Sequence, residues 1–327
     1  MSVEATAPGK VILFGEHSVV YNGPAIVIAI DRRAKITAKE RDDNKIKFDC
    51  LDLGFEGYFE GNKYHPIVGA KWRGKRLQAM LVSARTTMER LNKHSGLDLT
   101  VRSEIPIAAG LGSSAAICVS IVAATGALLK GNLSPQEICD IAYEGEKMVH
   151  GTPSGVDNNI STFGGVLSYE KGVGVERIDF QGGLPLVIGN SRRKRSTRRL
   201  VARVRALRER NPELVDGLID SMGEISRKGL EAIKAKDYPL IGDLMNVNHG
   251  LLSSVGVSIS RLDILVHAAR GAGAYGAKLT GAGGGGCMIA ITGPENLWEV
   301  SRAISRSRGE PHIVNIGYEG VETRRLG

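Results

Sequence analysis

Four consecutive glycines, Gly283 to Gly286, interrupt the segment KLTGAGGGGCMIAI (278–291). Each glycine weakens a strand or helix by about 0.5–1 kcal/mol against alanine, so such a run is a poor interior for any regular element. It fits a loop whose backbone must pass close to another backbone or to a ligand. Glycine supplies 42 of the 327 residues, where about 7% is ordinary, and the excess is clustered. The fold must therefore bring several side-chain-free loops against something.

The remaining composition narrows what that something is. A chain of this length has room for about two domains. Its longest apolar runs, such as AIVIAI (25–30), are too short to cross a bilayer, so no membrane partner is expected. The start MSVEATAPGK carries an acid and no apolar core, unlike a secretory signal. Cys50, Cys118, Cys139 and Cys287 lack paired spacing and read as reduced, mostly buried thiols of a cytoplasmic protein. The net charge is +8, much of it in RRKRSTRR (192–199). Aromatic residues make up 5% of the chain and none interleaves with that block. A stacking surface for nucleic acid is thus missing, and an acidic small-molecule substrate accounts for local positive charge equally well.

Periodicity predicts strands at KVILFG (10–15), AIVIAI, AKITAKE (34–40), KIKFDC (45–50) and LDLTVRS (97–103). Helical spacing runs over 75–94, and a buried helix extends from Ser113 to Gly131. A third helix opens at Ser134, with Pro135 as its first residue and Glu137 completing a capping box, and stops at Gly151. Strands follow at 164–172 and 184–190, then helices at 197–210, 212–235 and 237–253. LDILVHAARGAG (262–273), a helix near 295–308 and a final strand HIVNIGY (312–318) close the chain. Strands and helices without regular alternation give an α+β class, divided near residue 180 into domains 1–180 and 181–327.

Four stretches carry chemistry. IPIAAGLGSSAA (105–116) leads into the buried helix, whose amino terminus offers unpaired N–H groups and partial positive charge to an anion such as phosphate. A dinucleotide-binding turn would need a βαβ unit that the following segments do not supply, and no Walker-type Gly-Lys-Ser/Thr is present. The glycine run at 281–286 is the second stretch. The third is APGKVILFGEHSVVYNG (7–23), with Lys10 heading a strand and Glu16 and His17 in the loop after it. The fourth is HGTPSGVDNNISTFGG (150–165), a turn-rich segment with one acid, Asp157. Taken singly, the first, third and fourth have ordinary structural explanations in turns and surface polarity, whereas the glycine run calls for a close backbone approach.

Together and in this order they resemble the GHMP family of small-molecule kinases, and within it the branch acting on mevalonate. The likeness covers about residues 5–290. It implies an amino-terminal domain like ribosomal protein S5 domain 2 and a ferredoxin-like carboxy-terminal domain with added helices. ATP and substrate would meet in the cleft between them, with transfer of the γ-phosphoryl group to the 5-hydroxyl of (R)-mevalonate. By the same resemblance Gly110, Leu111, Gly112, Ser113 and Ser114 bind ATP. Ser114 and Glu146 hold Mg²⁺; helical spacing alone leaves Glu144 and Glu146 as alternatives. Asp157 becomes the base and Lys10 the cation that favours the alkoxide. Glu16, His17, Gly281, Ala282 and Gly283 line the substrate side, and Arg198 receives its carboxylate. The 54–74 segment is the expected adenine contact, and a homodimer is the family expectation. Another substrate, phosphomevalonate or a sugar-like alcohol, is the alternative reading, as is a silent ligand sensor. Lys10, Glu146 and Asp157 together argue against the sensor, since a pure binder needs no such set.

Overall fold

The computed structural model describes the chain except residues 51, 53, 70–73, 107–108 and 151–153. Parts of the 54–74 segment, of the first glycine turn and of the fourth stretch therefore lie outside the described residues.

Alternating apolar positions build a long antiparallel pair, β1 (Ser2–Phe14) and β2 (Ala25–Arg41). AIVIAI and AKITAKE, expected as separate strands, are one strand. The register passes from Pro8 opposite Arg33 to Gly9 opposite Ile30, so β2 bulges at its charged residues 31–33 and continues. Around this pair stand β3 (Ile46–Cys50), β4 (Phe55–Glu60), β5 (Lys63–Val68) and β6 (Gly96–Ser103), in the order β1-β2-β6-β3-β4-β5. Further strands β7 (Val166–Glu170) and β8 (Gly174–Ile178) extend from the first half of β2. Packed on the sheet is α2 (Ser113–Leu128), buried at nearly every position, with α1 (Gly74–Arg90) and α3 (Pro135–His150) against it. The predicted capping box of α3 forms: Glu137 N–H donates to Ser134 Oγ at 3.2 Å and Ser134 N–H to Glu137 Oε2 at 3.0 Å. A short helix, α4 (Val156–Phe163), replaces the turn-rich reading of that segment.

The second sheet contains β9 (Leu186–Asn190), β10 (Gly276–Leu279), β11 (Cys287–Ile291) and β12 (Glu310–Val314), antiparallel in the order β10-β11-β9-β12. Its alternation sorts side chains between two cores. Val187, Met288, Ala290 and Leu279 pack with Leu265 of α8 (Ser260–Gly271) and Ile304 of α9 (Leu297–Arg306). Ile188, Cys287, Ile289 and Ile291 join the large cluster that contains β1, β2 and α2. The helices α5 (Thr197–Arg210), α6 (Pro212–Ala235) and α7 (Tyr238–Ser254) follow the predicted bounds closely. Strands β4, β5, β8, β10, β11 and β13 (Glu322–Leu326) lie outside the stretches expected as strands; β13 returns to the first sheet and pairs with β1, Ser2 opposite Leu326. Thus the second half of the chain contributes to the first sheet as well.

All four cysteines are free and buried. Among the described residues no helix is long and apolar enough to cross a membrane.

Phe14 ends β1 in the large cluster, fully buried, and its ring meets Gly229 of α6, where an added Cβ would lie 2.5 Å away. Phe14→Ala should cost about 3–5 kcal/mol, read as a lower urea midpoint at unchanged slope.

Candidate active site

The site begins where β1 and α2 touch. Gly110 and Gly112 have φ of 81° and 76°, the left-handed region that side chains disfavour. Gly112 caps α2 without any side-chain hydrogen bond, and the first turn holds no acid, so neither a capping side chain nor a carboxylate competes for its N–H groups. Lys10 N–H donates to Leu111 O at 2.9 Å. A Cβ on Gly112 would lie 2.8 Å from Lys10 Cγ, and one on Gly9 2.9 Å from Leu111 O. The glycines therefore permit a contact that alanine would obstruct.

That contact leaves Lys10, 5% exposed, at the helix mouth. Its Nζ stands 3.2 Å from Asp157 Oδ1. Asp157 occupies the first turn of α4, where the helix dipole favours negative charge. One turn later Ser161 donates its hydroxyl to Pro8 O at 2.9 Å, fixing α4 to β1 where it faces the bulge in β2. Beside these, Ser114 Oγ donates to Glu146 Oε1 at 2.5 Å, and Glu146 is buried on α3. A hydroxyl and a carboxylate at a helix amino terminus are hard oxygen donors, suited to a divalent ion that also takes phosphate oxygens. Among the described residues no cluster of three or more His, Cys, Asp and Glu side chains could hold a metal alone. Burial and the neighbouring Glu146 push the nearby Cys118 thiol up to about 12, so it stays protonated.

The glycine run closes the opposite side. Gly281 and Gly283 to Gly286 all have positive φ between 65° and 138°. Gly284 N–H donates to Val257 O at 2.7 Å and Gly286 N–H to Arg193 O at 2.8 Å. Thr280 Oγ1 donates to Ile12 O at 2.8 Å and accepts from Ile12 N–H at 3.1 Å. His17 Nε2 lies 3.0 Å from Ala282 O, and burial lowers the pKa of its ring. The Glu16 side chain is fully buried, and its carboxylate pairs with Lys278.

The structure thus brings together Lys10, Asp157, the 110–114 turn, Glu146, His17 and Gly281 to Gly283. Two expectations shift. Glu16 lies behind the glycine floor, and Arg198 is exposed in the first turn of α5. The cation that enters from the basic block is Arg195. Its Nη1 donates to Thr280 O at 3.1 Å, and its guanidinium fills the space that side chains at Gly110, Gly281 and Gly286 would take. Burial lowers its pKa, opposed by charge on Asp157 and Glu16. The physical reason lies at Arg192, whose φ of 56° turns the chain after β9 and whose N–H donates to Asn190 Oδ1 at 2.9 Å. Sequence reasoning missed both Arg195 and Lys278. For Lys278 a signal existed: a lone charge in a strand otherwise made of Gly, Ala and Leu.

A helix mouth with open N–H groups, a lysine–aspartate pair and a glycine floor are the arrangement that phosphoryl transfer by a small-molecule kinase calls for. Residues 79–165 match the GHMP kinases N terminal domain and residues 230–310 the GHMP kinases C terminal family. A mevalonate kinase of Pyrococcus abyssi is 41% identical over 99% of this chain and 98% of its own. The crystal structure of the Methanococcus jannaschii mevalonate kinase superposes with a TM-score of 0.80 at 29% identity, covering 97% of this chain and 98% of that one. That of the L. major mevalonate kinase in complex with R-mevalonate gives 0.80 at 26%, covering 96% and 95%. This chain belongs to the GHMP kinase family.

Gly112→Ala should strain the turn by about 1–2 kcal/mol and push Lys10 aside, so turnover should fall well beyond any change in melting temperature. A variant with normal turnover would contradict the contact described here.

Proposed function

We infer that this enzyme is a kinase that uses ATP to phosphorylate the 5-hydroxyl of (R)-mevalonate, yielding 5-phosphomevalonate for isoprenoid synthesis. The observation that carries the reading is the Lys10–Asp157 pair, 3.2 Å apart beside the open mouth of α2. In this reading the N–H groups of Gly110, Leu111, Gly112, Ser113 and Ser114 receive the nucleotide phosphates. Asp157 orients the substrate hydroxyl and accepts its proton; Lys10 stabilises the alkoxide and the charge on the transferring oxygens. ATP as phosphoryl donor implies a divalent metal. We propose Mg²⁺, held by Ser114 Oγ and Glu146, which when bound neutralises charge across the phosphate oxygens. His17 and the Gly281–Gly283 floor border the acceptor.

The acceptor's carboxylate falls to Arg195, which supports that role better than Arg198. A guanidinium withdrawn from water, with one carbonyl partner among the described residues, gains from a bound carboxylate, whereas an exposed one gains little. A cytoplasmic location and a homodimer complete the proposal, the latter measurable by light scattering.

Purified protein with Mg²⁺ should release ADP with mevalonate and not with phosphomevalonate, galactose or homoserine; silence on all four removes the reading. Asp157→Asn should lower kcat by about 10²–10⁴-fold with the circular dichroism spectrum retained. Arg195→Ala should raise the mevalonate KM by about tenfold or more, and Arg198→Ala should leave it within about threefold. The reverse order would return the carboxylate to Arg198.

A further inference from the structure

The Glu16–Lys278 pair is fully buried on both sides. Lys278 sits opposite Ile289 in the β10–β11 pairing, on the sheet face that sends Ile289, Cys287 and Ile188 into the large apolar cluster. Each ion there gives up several kcal/mol of hydration, and replacing both partners of such a pair by apolar residues is often neutral or stabilising. Burial accordingly pushes Glu16 up and Lys278 down, each opposed by the charge of the other. Stability alone gives no reason for two charges in this layer.

Location does give one. Lys278 Nζ also donates to Leu279 O at 2.9 Å, at the point where β10 becomes the glycine run. Leu279 N–H donates to His249 Nδ1 on α7 at 3.3 Å, which anchors the same residue from behind. Thr280 is bonded to Ile12 and Ala282 to His17. Glu16, Ile12 and His17 all belong to β1 or the loop leaving it, the element that carries Lys10. A neutral glycine floor is thereby tied to the strand that presents the cation, and among the described residues the Glu16–Lys278 pair is the ion pair in that tie.

We propose that Glu16 and Lys278 are positioning residues that set the Gly281–Gly283 floor against Lys10 and Asp157, and so fix the gap across which the phosphoryl group moves. This rests on the reading that the floor borders the transfer site. Neither side chain touches substrate.

The test compares the wild type with the double variant Glu16→Leu/Lys278→Met by urea unfolding, hydrogen exchange of amides 279–286 without substrate, and kinetics. The double variant should keep or raise the urea midpoint. Its 279–286 amides should exchange about tenfold faster than wild type while the rest of the chain is unchanged. Its kcat should fall about 10–100-fold, as expected for loss of alignment, with both KM values within about threefold. If the double variant does not fold, Lys278→Met alone, in which Glu16 can take up a proton, carries the same readouts. Wild-type exchange and turnover in a stable double variant overturn the proposal. So does a raised mevalonate KM at constant kcat, which makes Glu16 a direct ligand. A wild type that turns over no mevalonate defeats the functional reading instead, and the exchange measurement, which needs no substrate, still decides whether the pair holds the run.

Discussion

The backbone of β1 lies against the turn before α2, and the rest of the site depends on that approach. The hydrogen bond from Lys10 N–H to Leu111 O sets the distance, and Gly9 and Gly112 make it sterically possible. A long cation is thus delivered to the positive end of a helix, an arrangement that is unfavourable until an anion arrives. Nearby, Asp157 supplies one negative charge and Glu146 another, neither enough to replace a polyphosphate. The preorganised imbalance is a physical basis for binding a highly charged donor: the protein's dipoles are already aimed and need no rearrangement.

The floor opposite shows how flexibility is removed from glycine. Five positive-φ glycines would be costly to order on their own. Here their amides and neighbours are held by Val257, Arg193, Ile12 and His17, elements drawn from both halves of the chain. The large apolar cluster runs across the same boundary, joining Ile188 and Ile289 with residues of β1, β2 and α2. The loops of the site therefore stand on a continuous packed base.

Much of this is legible in the sequence where the determining forces are local. The capping box at Ser134 and Glu137, the helices over 197–253 and the glycine turns follow from propensity, periodicity and φ preference. α4 escapes because it is short, starts on a left-handed Gly155 and carries no capping side chain. β13 escapes because ETRRL is mostly exposed and finds its partner more than three hundred residues away. The site is legible as a set of motifs, yet the roles of neighbouring residues are not. Six cations within 192–199 look alike in one dimension; the turn at Arg192 sets Arg195 against the glycine loops and leaves Arg198 exposed. Likewise Glu16 reads as a loop acid until Lys278 appears beneath the opposite loop.

The Lys10–Asp157 pair spans most of the amino-terminal half of the chain, and the floor beside it comes from the last fifth. Bringing such distant segments together requires large loops to close, an entropic toll met only once the intervening strands and helices have docked. Secondary structure can therefore return to an unfolded chain well before competence does. Recovery of enzymatic function would report the final assembly of the topology, a late event that spectroscopic signals of helix content pass over.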